Sequence, residues 1–195
     1  MIYIEKIREP DWLVDFKKKH PKADYSSEEF KQYREELKDV LVKEQKCLCA
    51  YCCCKIKNET SHNEHIEPQN LKSGGKSKRT LDYLNIVASC NSSKGEITCG
   101  KAKENEYDEN KFVSPLNPDC ENMFSYLPDG TVTGNDYTIG LLNLNAKALV
   151  EARKSLYKQL SYLDKKEIQE IYCQSEDDLY PFTNVIRYYL KEKCE

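Results

Sequence analysis

The chain has 195 residues, of which 39% are hydrophobic and 32% are charged, and its formal net charge is -3. This composition is typical of a globular protein and excludes collagen-like and disordered chains, and no run approaches the roughly 18 apolar residues that a transmembrane helix needs. Because the chain is slightly acidic overall, any attraction to nucleic acid has to come from a local basic segment.

Residues 1–46 are predicted to form an N-terminal helical arm. The opening sequence carries charges where a signal peptide would need an apolar stretch, so we expect a cytoplasmic protein. Residues 26–46 are predicted to form one helix, because Ser26 or Ser27 can cap its first turn. The apolar residues that recur at helical spacing, and that we expect in the core, are Phe30, Tyr33, Leu37 and Leu41.

Residues 47–115 are predicted to form a small unit organised by metal, because cysteine, glycine, asparagine and lysine replace regular hydrophobic periodicity there. We predict a short strand at 63–66, a flexible loop at 71–79 and an apolar run at 83–88 that packs beneath them. The chemistry is expected in this segment, since the candidate ligands and catalytic side chains all fall within it.

Residues 116–195 are predicted to contain a β-hairpin and a helical region that is structural or binds a partner. The turn sequence Pro128-Asp129-Gly130 separates two β-prone stretches, which is a hairpin signal. Shorter helices are predicted near 165–173 and after Pro181. A long amphipathic helix is predicted from Leu141, Leu144, Ala148, Leu149, Ala152, Leu156, Leu160 and Leu163.

Four cysteines are predicted to bind a structural zinc ion. Cys49 and Cys52 have two residues between them, a spacing at which a tight turn can aim both sulfurs at one ion. Cys90 and Cys99 follow later and would complete a closed tetrahedral site. The step between this second pair is wider than the usual two-residue gap, so the pair is not a standard zinc knuckle.

The other cysteines leave alternatives open. The cysteines as a group could be ordinary reduced core residues, or the Cys-x2-Cys pair could be a redox motif. The competing ligands for the first pair are Cys47, Cys53 and Cys54, and the thiols expected to be buried or free are Cys120, Cys173 and Cys194.

A histidine preceded by a carboxylate stands between the two cysteine pairs, in Asn63-Glu64-His65-Ile66-Glu67-Pro68. Adjacent residues of a strand point to opposite faces, so a twist or a bulge is needed before Glu64 and His65 can face one site. His20 and His62 match no motif position, so no role is assigned to them, although His62, three residues before His65, could assist.

The order of these motifs resembles the HNH endonuclease family. The order is Cys-x2-Cys, Glu-His-Ile-x-Pro, Asn-Ile, Cys, Cys and then Lys. Residues 1–6 and the segment from Leu142 through Arg153 are also similar to the HNH subunits of bacterial anti-phage systems, in particular the PtuB-like nucleases of Septu and of some retron systems. The resemblance implies an α+β fold with a ββα-metal core and a structural zinc, in an endonuclease that cuts DNA.

The resemblance also implies roles for three residues. His65 would take a proton from the attacking water, since the reference pKa of imidazole is about 6.5. Glu64 would hold a divalent ion, Mg²⁺ or another, against the scissile phosphate. Asn85 falls where the middle asparagine of the family lies, and its amide would fix the orientation of the histidine ring.

The chain departs from the family pattern at its third position. There the family has a histidine, asparagine or aspartate that completes the metal site, whereas Cys99 is followed by Gly100, which has no ligand atom in its side chain. Lys103 does lie three residues beyond, as the pattern requires. Asn91, which follows Cys90, is the alternative predicted ligand for the catalytic ion.

A basic segment supplies the predicted contacts to nucleic acid, although a solvated loop is the alternative interpretation. The resemblance further implies an ATPase partner (PtuA-like), which we expect to dock on the helical segment 138–195, and no membrane contact is expected. The basic segment also contains Lys94 and Lys101. Its predicted phosphate contacts are Lys72, Lys76, Lys78, Arg79 and Lys103.

Two other functions remain open from the sequence. A zinc-stabilised module that binds nucleic acid without catalysis is favoured by the missing ligand at Gly100. A thiol oxidoreductase that uses Cys49 and Cys52 would contain no zinc and would form a reversible disulfide.

Overall fold

The structure is a computed structural model that describes residues 1–92, 95–175 and 177–193. It mixes helices with two small antiparallel sheets, so the predicted α+β class is confirmed. The helices are α1 Asp11–Lys19, α2 Glu28–Lys31, α3 Arg34–Glu44, α4 Cys99–Lys103, α5 Asp136–Leu141, α6 Lys147–Leu160, α7 Lys165–Tyr172 and α8 Thr183–Glu192. The strands are β1 Ser61–His65, β2 Ile86–Cys90, β3 Phe124–Tyr126 and β4 Val132–Gly134.

The predicted helix over 26–46 is two helices, α2 and α3, so the expectation of one continuous helix is wrong. The break falls at Gln32 and Tyr33, where the ring of Tyr33 stacks on that of Trp12 with 5.4 Å between centroids. This aromatic contact connects α1 to the start of α3. Tertiary packing therefore overrides the local helical pattern at this point.

Strands β1 and β2 form the sheet that carries the site. They pair antiparallel, with Glu64 opposite Val87 and His65 opposite Ile86. All of β2 is buried, and α4 follows it and packs against it. The elements β1, β2 and α4 therefore follow one another in the strand-strand-helix order that the resemblance implies.

The C-terminal half contains the predicted hairpin, β3 and β4, and the predicted short helices, α7 and α8. The hairpin turn needs Gly130, because its φ is +89° and a Cβ there would lie 2.1 Å from the carbonyl oxygen of Val150. The predicted long helix is shorter than expected and is preceded by α5. Asn143, with φ of +48°, separates α5 from α6.

One hydrophobic core joins all three predicted segments of the chain. Leu41 from the first, Ile86 from the second, and Leu156 and Ile186 from the third belong to the same cluster of buried side chains. The boundaries of the segments 1–46, 47–115 and 116–195 remain predictions. Among the described residues, no helix is both long enough and apolar enough to span a membrane.

Candidate nuclease site

Glu64 and His65 line the same open cleft, although they are neighbours on one strand. The cleft has a volume of ≈ 370 Å³, and its lining includes Pro68 and Gly100 as well as these two side chains. Both side chains are largely buried, with 7% of Glu64 and 5% of His65 exposed. The end of β1 at His65 thus brings the predicted carboxylate and imidazole together.

The ring of His65 is held by a backbone carbonyl. Its Nε2 lies 2.9 Å from the oxygen of Thr80, and since a carbonyl can only accept, Nε2 carries the hydrogen. The neutral ring therefore keeps an unprotonated Nδ1 that can accept a proton. Burial lowers the pKa of His65 below its ordinary value, which favours this neutral form, while the bond to Thr80 and the charge of Glu64 oppose the shift.

The carboxylate of Glu64 is fixed through one of its oxygens. Oε1 accepts from Nζ of Lys103 at 3.0 Å and from the hydroxyl of Tyr51 at 3.4 Å, whereas Oε2 lies 3.4 Å from Nε2 of His62. Burial alone would raise the pKa of Glu64, but the interactions with His62 and Lys103 lower it below its ordinary value. The group is therefore an anion at neutral pH.

Lys103 supports Glu64 from within the protein, so its prediction as a phosphate contact is wrong. Its side chain is fully buried, and its Nζ donates to the carbonyl of His65 at 3.0 Å as well as to Glu64. A buried lysine that neutralises a buried carboxylate cannot reach a nucleic acid. Lys103 is the last residue of helix α4, which packs against β2.

We expect Lys103→Met to destabilise the protein by about 3–5 kcal/mol, because removing one partner of a buried ion pair leaves the other charge uncompensated. Urea unfolding followed by circular dichroism measures this loss. The matched control is Lys101→Met, two residues earlier on the same helix but exposed, which should change stability by less than about 0.5 kcal/mol. Equal stability of the two variants would contradict the structural role of Lys103.

Asn85 holds the loop after β1 rather than the histidine ring, so its predicted orienting role is wrong. It is fully buried, and its Oδ1 accepts from the backbone of Glu67 while its Nδ2 donates to the carbonyls of Glu67 and Arg79. The orienting contact to His65 comes from Thr80 instead. Because the residues between Glu67 and Arg79 close on Asn85, this asparagine still helps to shape the cleft.

Asn91 contacts His62, a histidine with no role assigned from the sequence, so the prediction of Asn91 as a ligand of the catalytic ion is wrong. Its Oδ1 lies 3.0 Å from Nδ1 of His62, so this oxygen is already engaged. His62 lines the cleft and lies beside Glu64. The signal that could have revealed it is the two-residue spacing, since residues i and i+2 of a strand share a face.

The sulfurs of Cys49, Cys52, Cys54 and Cys90 all lie within 4.8 Å of one another. Cys52 and Cys90 are 3.9 Å apart, close to the edge of about 3.8 Å that follows for a ZnS₄ tetrahedron with Zn–S bonds of about 2.3 Å. Cys99 interacts with Cys49, Cys52 and Cys90. Three of the four predicted ligands, Cys49, Cys52 and Cys90, therefore belong to this cluster, and Cys54 completes it in place of Cys99, which remains a candidate.

The lowered pKa values of Cys49 and Cys90 favour thiolates, the form that zinc ligation requires, whereas interactions within the same cluster raise the pKa values of Cys52, Cys54 and Cys99. Burial would raise the pKa of Cys49, but interactions with neighbouring thiols, chiefly Cys52, lower it well below its ordinary value. The interaction with Cys49 raises the pKa of Cys90, yet those with Cys52, Cys54 and Cys99 outweigh it and lower the value to about 5. The backbone N–H of Cys90 also donates to the sulfur of Cys49 at 3.3 Å. A zinc ion fits this donor set.

The other cysteines of the described residues do not belong to this cluster. Cys53 and Cys120 are buried, Cys47 is half-buried and Cys173 is exposed. Cys194 lies outside the described residues.

Most of the predicted phosphate contacts are paired with carboxylates. Lys72 pairs with Glu106, Lys76 with Asp24 and Arg79 with Asp82. These cations remain partly exposed and can exchange their partners for phosphate. Lys94 lies outside the described residues.

Two exposed lysines are better placed for phosphate than the ion-paired cations. Lys78 and Lys101 are exposed and form no ion pair with any carboxylate of the described residues. Lys101 also lines the cleft beside His65, a position that the sequence analysis did not single out.

The comparisons with known proteins support the resemblance to HNH nucleases. No protein-family model matches the chain. The chain is 28% identical over 202 residues to an Escherichia coli protein named "Retron Ec83 putative HNH endonuclease", and the match covers 78% of each protein. A closer relationship to the PtuB-like nucleases of Septu stays a prediction.

Proposed function

We propose that this protein is a metal-dependent HNH endonuclease that hydrolyses the phosphodiester bonds of DNA. The observation that carries the proposal is the pairing of His65 with Glu64 in one cleft, where the bond to Thr80 leaves Nδ1 of the imidazole free to accept a proton. The similarity to a protein named as an HNH endonuclease supports the same reaction class.

In the proposed reaction His65 acts as the general base. Its Nδ1 takes a proton from water as the water oxygen attacks phosphorus, and the bond from phosphorus to the 3′ oxygen breaks. The departing 3′ oxygen takes up a proton from solvent water, so the products carry a 5′-phosphate and a 3′-hydroxyl. Lys78 and Lys101, both exposed, would contact the phosphates on either side, which gives an affinity that falls with salt.

Glu64 would hold the divalent ion that such a reaction needs. Its Oε1 is bound to Lys103, whereas its Oε2 faces His62 and not a lysine. An oxygen donor of this kind suits Mg²⁺ or Mn²⁺. The ion would neutralise the charge that develops on the phosphate and on the departing oxygen.

Cleavage of supercoiled plasmid by the zinc-loaded protein tests this proposal. We expect nicked and linear products with Mg²⁺, Mn²⁺ or Ni²⁺, none with EDTA, and nicks that DNA ligase reseals without prior kinase treatment. A matched single-stranded RNA in parallel tests the preference for DNA. If the protein retards DNA in a gel but cuts nothing with any of the three ions, it is a binding module and not a nuclease.

We further propose that this nuclease acts in an anti-phage defence system and docks on an ATPase through the segment 138–195. Helices α6 and α8 contribute buried side chains to the common core, so the docking surface must be the outer face of this segment. Tyr162 and Ile171 are available there, with 76% and 52% of their surfaces exposed. The retron name of the similar protein supports the defence context.

Co-purification with an ATPase encoded beside the gene tests the docking. Tyr162→Glu combined with Ile171→Glu should abolish the complex while leaving plasmid cleavage unchanged. Ile7→Glu is the matched control, since Ile7 is 74% exposed on the N-terminal segment. A complex that survives the double substitution places the interface elsewhere.

A further inference from the structure

An imidazole nitrogen of His62 and a carboxylate oxygen of Glu64 lie close together beside Gly100, in the first turn of α4. His62 and Glu64 are two residues apart on β1, so both side chains project from the same face of the sheet. Nε2 of His62 lies 3.4 Å from Oε2 of Glu64. Since Lys103 and Tyr51 bind the other oxygen of Glu64, Oε2 is the oxygen left for a further partner.

Asn91 determines which nitrogen of His62 is available. Its Nδ2 donates to the carbonyls of Glu59 and Ser61 at 3.4 and 3.3 Å, which turns its Oδ1 toward the ring. Because that oxygen can only accept, Nδ1 of His62 carries the hydrogen. In the neutral ring the lone pair of Nε2 therefore points toward the carboxylate, and a cation bound by both groups would satisfy the two lone pairs. Metal-binding histidines are typically held in this way by an acceptor on their other nitrogen.

Gly100 leaves the space that this arrangement needs. An added Cβ would lie 2.4 Å from Oε2 of Glu64 and 2.9 Å from Nε2 of His62. The hydroxyl oxygen of Ser89 accepts from the N–H of Gly100 at 3.1 Å, which holds the start of α4 against β2. A side chain at the helix position from which a ligand was expected would therefore have to displace the ends of Glu64 and His62.

We propose that His62 replaces the missing helix ligand and forms the cation site together with Glu64, with Asn91 as the positioning residue. This inference rests on the proposed metal dependence and names its ligands. One imidazole and one carboxylate favour a first-row transition ion over Mg²⁺, which prefers oxygen donors alone. The site is therefore expected to bind Mn²⁺ more tightly than Mg²⁺.

Titration of the zinc-loaded protein with Mn²⁺, followed by the EPR signal of the free ion, tests the ligand set without any cleavage. We expect one Mn²⁺ site in the wild type, affinity about 100-fold weaker in His62→Ala and about 10-fold weaker in Asn91→Ala. Gly100→Ala should also weaken binding, since its methyl group displaces both donors. His20→Ala, which changes an exposed histidine at the C-terminal end of α1, should bind as the wild type does.

A spectroscopic measurement keeps the proposal testable if a variant folds poorly. Electron spin echo modulation of the bound Mn²⁺ should show coupling to a ring ¹⁴N in the wild type and in His65→Ala, and no such coupling in His62→Ala. Circular dichroism and zinc content verify that each variant is folded.

Three outcomes would overturn the inference: no Mn²⁺ site beyond the zinc, equal affinity in His62→Ala, or no nitrogen coupling. Plasmid cleavage measured on the same samples separates this inference from the proposed function. If His62→Ala binds Mn²⁺ and cuts DNA normally, the ligand assignment fails while the nuclease stands. If the wild type binds Mn²⁺ through His62 but cuts no nucleic acid, the site stands while the nuclease fails.

Discussion

His65→Ala is expected to lower the rate of plasmid cleavage by about 10²–10⁴-fold, the usual contribution of a positioned general base. The effect should appear as a fall in the rate at saturating metal, because the imidazole accepts a proton only while water attacks phosphorus. Its hydrogen bond to Thr80 leaves Nδ1 without a hydrogen, whereas the other histidine of the cleft, His62, directs its Nε2 toward Glu64. The measurement is single-turnover cleavage of supercoiled plasmid with Mn²⁺.

His20→Ala is the matched control for this prediction. His20 stacks on Phe16 with 4.7 Å between ring centroids and does not line the cleft, so cleavage should remain at the wild-type rate. Cleavage by His65→Ala at the wild-type rate would show that another group activates the water.

The local elements around the site could be predicted, because they depend on short sequence signals. The strand that carries Glu64 and His65 and the hairpin at Gly130 follow from alternation and turn chemistry. The break between α2 and α3 could not be predicted, since it depends on an aromatic contact between Tyr33 and Trp12 from another helix.

The contacts that polar residues form in the site were harder to predict from the sequence than which polar residues lie there. Lysine is almost never fully buried, so nothing in the sequence indicated that Lys103 would form a buried ion pair with Glu64. Asn91 and His62 are distant in sequence and meet only because β1 and β2 pair in one register, with Ser61 opposite Cys90. Such contacts are set by the pairing of strands, and no local pattern encodes them.

Cys90→Ser is expected to abolish zinc binding and to destabilise the fold severely. Structural zinc contributes about 10–16 kcal/mol of apparent folding free energy in small zinc domains, which is comparable to the whole stability of about 5–15 kcal/mol of a typical protein. Cys90 ends β2, and its thiolate lies beside Cys49 and Cys52, so the same ion would connect the sheet to the preceding loop. Even a loss of about 4 kcal/mol would lower Tm by roughly 8–16 °C.

Zinc content by mass spectrometry and thermal unfolding by calorimetry measure this loss, with the exposed Cys173→Ser as the control. Full zinc content in Cys90→Ser would contradict the assignment of Cys90 as a ligand, and a reversible disulfide in a zinc-free wild type would favour a redox pair instead. The same assay identifies the fourth ligand. The distances between sulfur atoms include Cys54 in the cluster, so they favour loss of zinc in Cys54→Ser. The order of motifs in the sequence includes Cys99 instead, so it favours loss of zinc in Cys99→Ser. Because a tetrahedral ion takes four sulfurs, the fifth thiol should be dispensable for zinc binding.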